Sequence, residues 1–337
     1  MYPPSGPGVP SPSAEDGDLA PYYIPPPLPQ PRRDRVWLHY LLFVLTLVST
    51  TLTGAELFAV YSIDFTQLLA MSESENRAWA AALASSPSYY LNGLWYSVTV
   101  LAILGCHEMG HYYASLRYGV DVTRPFFLPA PFTLSGTLGA FIRIRSRIPT
   151  KIALFDIGIA GPIAGFLVAA PALFIGLWMS RIVQLPDDPS RLFELGEPLL
   201  FQFAAWLIWG PMKEGFTISM HPVAFAAWFG LLATALNLFP ISQLDGGHIS
   251  YAVLGRKSTW VTYLMIVVAI GLTFVSLSWV VWTVLLVVMI LILGPHHPPT
   301  YDEHESLGRG RLILAAIALL MLLVCFTPAP IGAFVGQ

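Results

Sequence analysis

Two short runs of residues concentrate the chemistry of this chain. The first is His107-Glu108-Met109-Gly110-His111. On a helix, residues four apart share a face, so both imidazoles can reach one metal ion. Glu108 would stand about 100° around the helix, beside the two donors rather than among them. A carboxylate placed there can take a proton from metal-bound water and return it to a leaving amine. Imidazole and carboxylate donors with one position left open describe catalytic zinc sites. The second run is Asn237-Leu-Phe-Pro240-Ile-Ser-Gln-Leu244-Asp245-Gly246-Gly247-His248. Pro240 and the glycine pair interrupt a helix there, and the unwound backbone can line a polar cavity.

The elements that carry these runs are apolar. Of the 337 residues, 55% are hydrophobic and only 11% are charged, with a formal net charge of −3. Soluble domains run at about 45–50% apolar and about 25% charged, so a soluble enzyme, a disordered chain and a nucleic-acid binder are all excluded. Two cysteines cannot form a disulfide framework, and Cys106 and Cys325 both sit in apolar runs that predict buried thiols. A membrane span needs about 20 mainly apolar residues. Candidates are 37–60, 91–116, 152–180, 221–241, 260–277, 278–294 and 312–327, with a shorter piece at 199–209 expected to be interfacial or re-entrant. The fold class is therefore an all-α polytopic membrane protein of about seven spans. An acidic residue inside such a span costs about 2.5–3.5 kcal/mol on insertion scales, so Glu108 and Asp245 read as functional groups.

With the N-terminus in the cytoplasm, seven spans sort the basic residues. Thirteen of the 17 Lys and Arg then lie on the cytoplasmic side, among them Arg117, Arg143, Arg145, Arg147, Lys151, Arg256, Lys257, Arg309 and Arg311. The opposite side holds Asp64, Glu73, Glu75, Asp187, Asp188, Glu194 and Glu197, with Arg191 among its few cations. Both motifs then arrive at the same depth on the same side, although some 130 residues separate them in sequence.

At this point the chain resembles the site-2 protease family of intramembrane zinc metalloproteases. That family joins HExxH on one transmembrane helix to NxxPxxxLDG on a later one, and both patterns are met here without a substitution, at His107–His111 and Asn237–Gly246. The resemblance implies that His107, His111 and Asp245 bind one zinc ion per chain and that Glu108 activates the water. It further implies that Asn237 hydrogen-bonds the substrate carbonyl or oxyanion, a donor worth about 2.7–4 kcal/mol in the transition state. The similarity runs from about Tyr90 to Pro295 and includes the segment from Gly136 to Arg145 and Gly161-Pro162. No loop is long enough for a PDZ domain, which is similar to the PDZ-less bacterial and chloroplast branch. The implied partner is a transmembrane protein substrate in the bilayer, with a bacterial cell membrane as the expected location; oligomeric state is left open.

Between the second and third spans, prolines forbid a continuous helix from Pro125 onward, and Phe141-Ile-Arg-Ile-Arg alternates like a strand from Phe141 to Arg145. A hairpin dipping into the cytoplasmic leaflet is expected, with a free edge that could pair with an unwound substrate; a plain surface loop fits the same residues. His39 and His221 start spans and are expected at headgroup level; His248, close after Asp245, fits either a support for the metal ligands or helix packing or solvent contact; and His296, His297 and His304 are expected in a solvated loop with Asp302, Glu303 and Glu305. Residues 1–35, with eleven prolines in the first 31, form a disordered tail; 36–295 form the membrane-embedded metalloprotease domain; and 296–337 hold a cytoplasmic loop and a last span. Two other classes fit less well. A metal transporter would spread its donors along a pore, and a catalytically silent scaffold would have no need of Glu108.

Overall fold

The computed structural model describes residues 34–63, 65–186, 193–296, 298, 300, 302 and 305–333. The proline-rich tail up to residue 33 lies outside them, as do Asp64, Asp187, Asp188, Arg191, His297, Glu303 and His304. Long apolar stretches fold as the longest helices: α1 (Val36–Ser62), α4 (Pro87–Arg117) and α5 (Lys151–Met179), the last continuing through Pro162 and Pro171. Two short helices, α2 (Phe65–Ala70) and α3 (Glu73–Ala84), join the first pair. Pro87 starts α4, where its missing N–H is no loss, and Thr150 caps α5 by accepting from the Ala153 N–H at 3.0 Å.

The second half contains α6 (Leu199–Trp209), α7 (Pro222–Leu238), α8 (Asp245–Leu254), α9 (Ser258–Thr273), α10 (Ser278–Leu293) and α11 (Gly308–Cys325). Strands are short and occur as three antiparallel pairs: β1 (Phe126–Pro129) with β2 (Thr137–Phe141), β3 (Arg181–Gln184) with β5 (Phe216–Ser219), and β4 (Phe193–Leu195) with β6 (Ile331–Ala333). By length and composition five helical stretches can cross a membrane: α1, α4, α5, the run Asp245–Thr273 and α11. The expected spans at 221–241 and 278–294 are α7, of 17 residues, and α10, of 16 residues. Both fall below the usual 20.

Helices in a bilayer gain nothing from the hydrophobic effect against each other, so close backbone approach must supply the packing. Small residues provide it at each main crossing. Gly54 of α1 meets Gly93 of α4, Gly110 of α4 meets Ala160 and Ala164 of α5, and Gly176 of α5 meets Ala224 of α7. Arg311 of α11 forks onto Asp156 of α5, both bonds 2.8 Å long, and the Tyr118 hydroxyl at the end of α4 donates to the same carboxylate. The last helix is thereby fastened to the two that carry the first motif and its neighbour.

The β1–β2 hairpin lies along α1. Its register pairs Phe126 with Phe141 and Phe127 with Ala140, then slips by a bulge at Leu128/Pro129. The turn rests against the middle of α1, where Ser49 Oγ donates to the Gly136 carbonyl at 2.7 Å, and on α4, where the Tyr96 hydroxyl donates to the Ser135 carbonyl at 2.7 Å. Gly136 has φ +69°, and a Cβ there would come within 2.6 Å of Thr53 Oγ1, so both backbone geometry and space demand glycine. Beside the turn, Thr50 Oγ1 and Ser97 Oγ lie 2.8 Å apart and tie α1 to α4.

Three expectations are corrected here. The strand runs from Thr137 to Phe141 rather than from Phe141 to Arg145. Pro125 offers no N–H to the ladder, so pairing resumes only beyond it, with the Thr123 N–H donating to Arg143 O at 3.0 Å and the Arg145 N–H to Asp121 O at 2.8 Å. His39 and His221 face protein rather than headgroups. His39 is buried, stacks on Phe126 and holds the Pro125 carbonyl through Nδ1 at 3.1 Å; His221 is buried among Phe58, Tyr61 and Trp95. Cys106 is exposed, whereas Cys325 is buried as expected.

Candidate metal centre

The helical spacing of the first motif puts His107 and His111 on the inner face of α4, and both are buried. Opposite them, α5 presents glycines instead of side chains. Any Cβ at Gly161 would strike the His111 ring, and one at Gly165 would crowd His107 at 3.1 Å. The third donor comes from the second motif. After α7 the chain unwinds over Phe239–Leu244 and turns back at Ser242, the one non-glycine residue with positive φ among the described residues, at +44°. Asp245 is then the first residue of α8, where the partial positive charge of the helix N-terminus favours a carboxylate. Gly246 and Gly247 lie against the carbonyls of Leu238, Phe239, Ile241 and Ser242, so a side chain at either would block the reversal.

His107 Nε2, His111 Nε2 and Asp245 Oδ2 form a triangle with all three sides 3.2 Å. A tetrahedral ion with bonds of about 2.0–2.1 Å separates its ligand atoms by about 3.3 Å. The triangle matches that spacing. Proton bookkeeping points the same way. His111 Nδ1 lies 2.8 Å from the Ile157 carbonyl, which can only accept, so Nδ1 carries the proton. In the neutral ring Nε2 is then a bare lone pair facing a carboxylate oxygen and a second imidazole nitrogen. That lone pair, converging with the Asp245 oxygen and the His107 nitrogen in a buried place, suits a cation, and the backbone carbonyl behind His111 is the support that metal-bound histidines ordinarily have. Among the described residues, this is the one group of three such donors within reach of a single ion.

Glu108 is buried beside the triangle, and it shares the wall of one cavity with Ile142 just beyond β2. Asn237 Nδ2, on the last turn of α7, lies 3.3 Å from His107 Nε2. A cavity of about 840 Å³ opens onto all five groups, and Phe141, Arg143, Arg147 and Gln243 contribute to its wall. All five residues named from the motifs therefore meet in one place. His248 lines the same cavity and packs its Cβ against Gly158, whereas His296 stands apart, 3.1 Å from Thr259 Oγ1. Gly158, Gly165, the Ile157 carbonyl and Ile142 belong to the site without having been singled out by type. The spacing of Gly158, Gly161 and Gly165 along one face of α5 was their readable signal.

Residues 95–278, which include both motifs, match the family model described as peptidase family M50. This chain belongs to peptidase family M50. That is the site-2 protease family. The chain is 31% identical to the probable zinc metalloprotease EGY1, chloroplastic, of Arabidopsis thaliana, in a match covering 68% of this chain and 42% of the relative. It is 32% identical to the protein of the same name from Oryza sativa subsp. japonica, over 67% of this chain and 39% of that one. With the probable zinc metalloprotease EGY2, chloroplastic, of Arabidopsis thaliana the identity is 31%, over 73% of this chain and 43% of the relative. The M50 chain thus spans about two fifths of the length of these relatives.

Proposed function

We propose that this chain is an intramembrane zinc endopeptidase that hydrolyses a peptide bond in or near a transmembrane segment of another protein. The observation that carries the reading is the equilateral triangle of His107, His111 and Asp245 donors with Glu108 beside it, set among apolar helices. These three side chains would hold the zinc. When bound, zinc supplies a Lewis acid that polarises a carbonyl and brings the pKa of a water to about 7. Glu108 accepts the proton of the attacking water on its carboxylate and hands it to the leaving amine. Asn237 Nδ2 donates to the substrate carbonyl as negative charge grows on its oxygen. A helical substrate must unwind to expose a bond, and the edge of β2 not used by β1 offers an extended segment a strand to pair with. A transporter reading finds less support, because the donors are concentrated at one point beside a carboxylate outside the donor group.

The test is proteolysis by the purified full chain in liposomes with a single-span probe protein. Cleavage that stops on adding a zinc chelator and returns with zinc is the expected result; an intact probe, with zinc bound at one per chain, would sink the peptidase reading.

The proposed topology has seven spans with the N-terminus in the cytoplasm, α7 and α10 crossing as short helices near the lower limit of about 17 residues. The β1–β2 hairpin then dips into the cytoplasmic leaflet. The distribution of basic residues supports this orientation; the matched relatives are chloroplast proteins and lend nothing to a bacterial cell membrane in particular. Single cysteines near Arg117 and Lys257, in a chain lacking Cys106 and Cys325, are expected to label from one face and those near Glu73 from the other. Labelling of the first two from opposite faces would refute the arrangement.

A further inference from the structure

We propose that Tyr96 and Ser49 are positioning residues that clamp the turn of the β1–β2 hairpin and thereby set which substrate bond lies at the metal centre. The inference rests on the peptidase reading for its consequence, and on geometry alone for the clamp. Tyr96 is fully buried on α4, and its hydroxyl holds the Ser135 carbonyl; Ser49 of α1 holds the next carbonyl, that of Gly136. Gly54 and Gly93 let α1 and α4 approach closely enough for both hydroxyls to reach one turn. The other end of the same segment reaches the metal centre, where Ile142 lines one cavity with Glu108. His39 secures the start of β1 through the Pro125 carbonyl at 3.1 Å.

Tyr96 and Glu108 belong to one unbroken helix, so α4 fixes the distance between the clamped turn and the general base. Their twelve-residue separation rises about 18 Å at 1.5 Å per residue. From Ser135 to Ile142 an extended chain covers about 23 Å. The slack is taken up by the bulge and by Gly139, whose φ is +104°. A rigid helix thus acts as a ruler for a strand that would otherwise slide. Sliding matters because a substrate strand added to β2 takes its register from it. One step of register displaces the bond offered to Glu108 by two residues, about 7 Å. If the hydroxyls merely satisfied turn carbonyls, their loss would lower stability and leave the cleaved bond unchanged.

The experiment compares wild type, Tyr96→Phe and Ser49→Ala as full-length, zinc-loaded protein in lipid nanodiscs and liposomes. Each change removes one hydroxyl and little volume. Amide hydrogen exchange at residues 137–142 is expected to rise about tenfold, the scale of one lost hydrogen bond, while residues 100–111 of α4 exchange as before. With a single-span probe protein that the wild type cuts at one bond, mass spectrometry is expected to find additional cuts two residues away, with KM raised more than kcat is lowered. Unchanged exchange in both variants overturns the clamp. Faster exchange with a single, unmoved cut overturns its role in choosing the bond. If the wild type cuts no probe, that failure belongs to the peptidase reading, and the exchange measurement still decides the clamp.

Discussion

Replacing Asp245 with Ala is expected to empty the metal centre. The wild-type chain should retain one zinc through dialysis, and the variant close to none, an affinity loss of more than about 100-fold, since even supporting groups behind a ligand are worth 10- to 100-fold. The expectation is specific to the geometry. Asp245 Oδ2 stands 3.2 Å from each histidine nitrogen, and no other carboxylate completes a group of three donors there among the described residues. Glu108 stands outside that group of donors. The measurement is zinc per chain by elemental analysis, with circular dichroism to show that the helices persist. Full occupancy in the variant would mean that the third ligand has been misassigned.

Glu108→Gln should separate chemistry from binding. The amide fills the same buried space and Glu108 is not one of the three donors, so fold and zinc content are expected to equal wild type. Turnover of the probe should fall by about 10²–10⁴, the range of general acid–base catalysis, because a neutral amide cannot take the water's proton. A rate within a few-fold of wild type would show that the proton goes elsewhere.

The parts of the site that follow from local rules were legible from the residues. His107 and His111 share a helical face whatever the rest of the chain does, and an acidic group in an apolar helix calls for a reason. That Asp245 is the partner needed the family pattern, since nothing local says that α8 begins beside α4. The misread features share one cause. Alternation from Phe141 to Arg145 is real, but strand pairing is decided by a distant partner, and Pro125 withholds its N–H at the position that would have continued the ladder. His39 and Cys106 exchanged their expected environments for the same reason. The hairpin covers one, and among the described residues no element covers the other. The span count was readable only coarsely, because α7 and α10 stop short of a full crossing.

The glycine face of α5 restricts how this protein can be made sturdier. Exchanging a helical glycine for alanine ordinarily stabilises by about 0.4–1 kcal/mol, since it narrows the freedom of the unfolded chain. At Gly161 the added methyl would displace the His111 ring, at Gly165 it would press on His107, and at Gly158 it would come within 2.9 Å of His248. In this stretch a looser unfolded chain is therefore the condition of a formed metal centre, and the two cannot be improved together. At Gly271 and Gly310 a Cβ would meet nothing outside its own stretch of helix among the described residues, and they carry no such obligation. An effort to harden the protein for crystallisation or heat would begin there and leave α5 as it is.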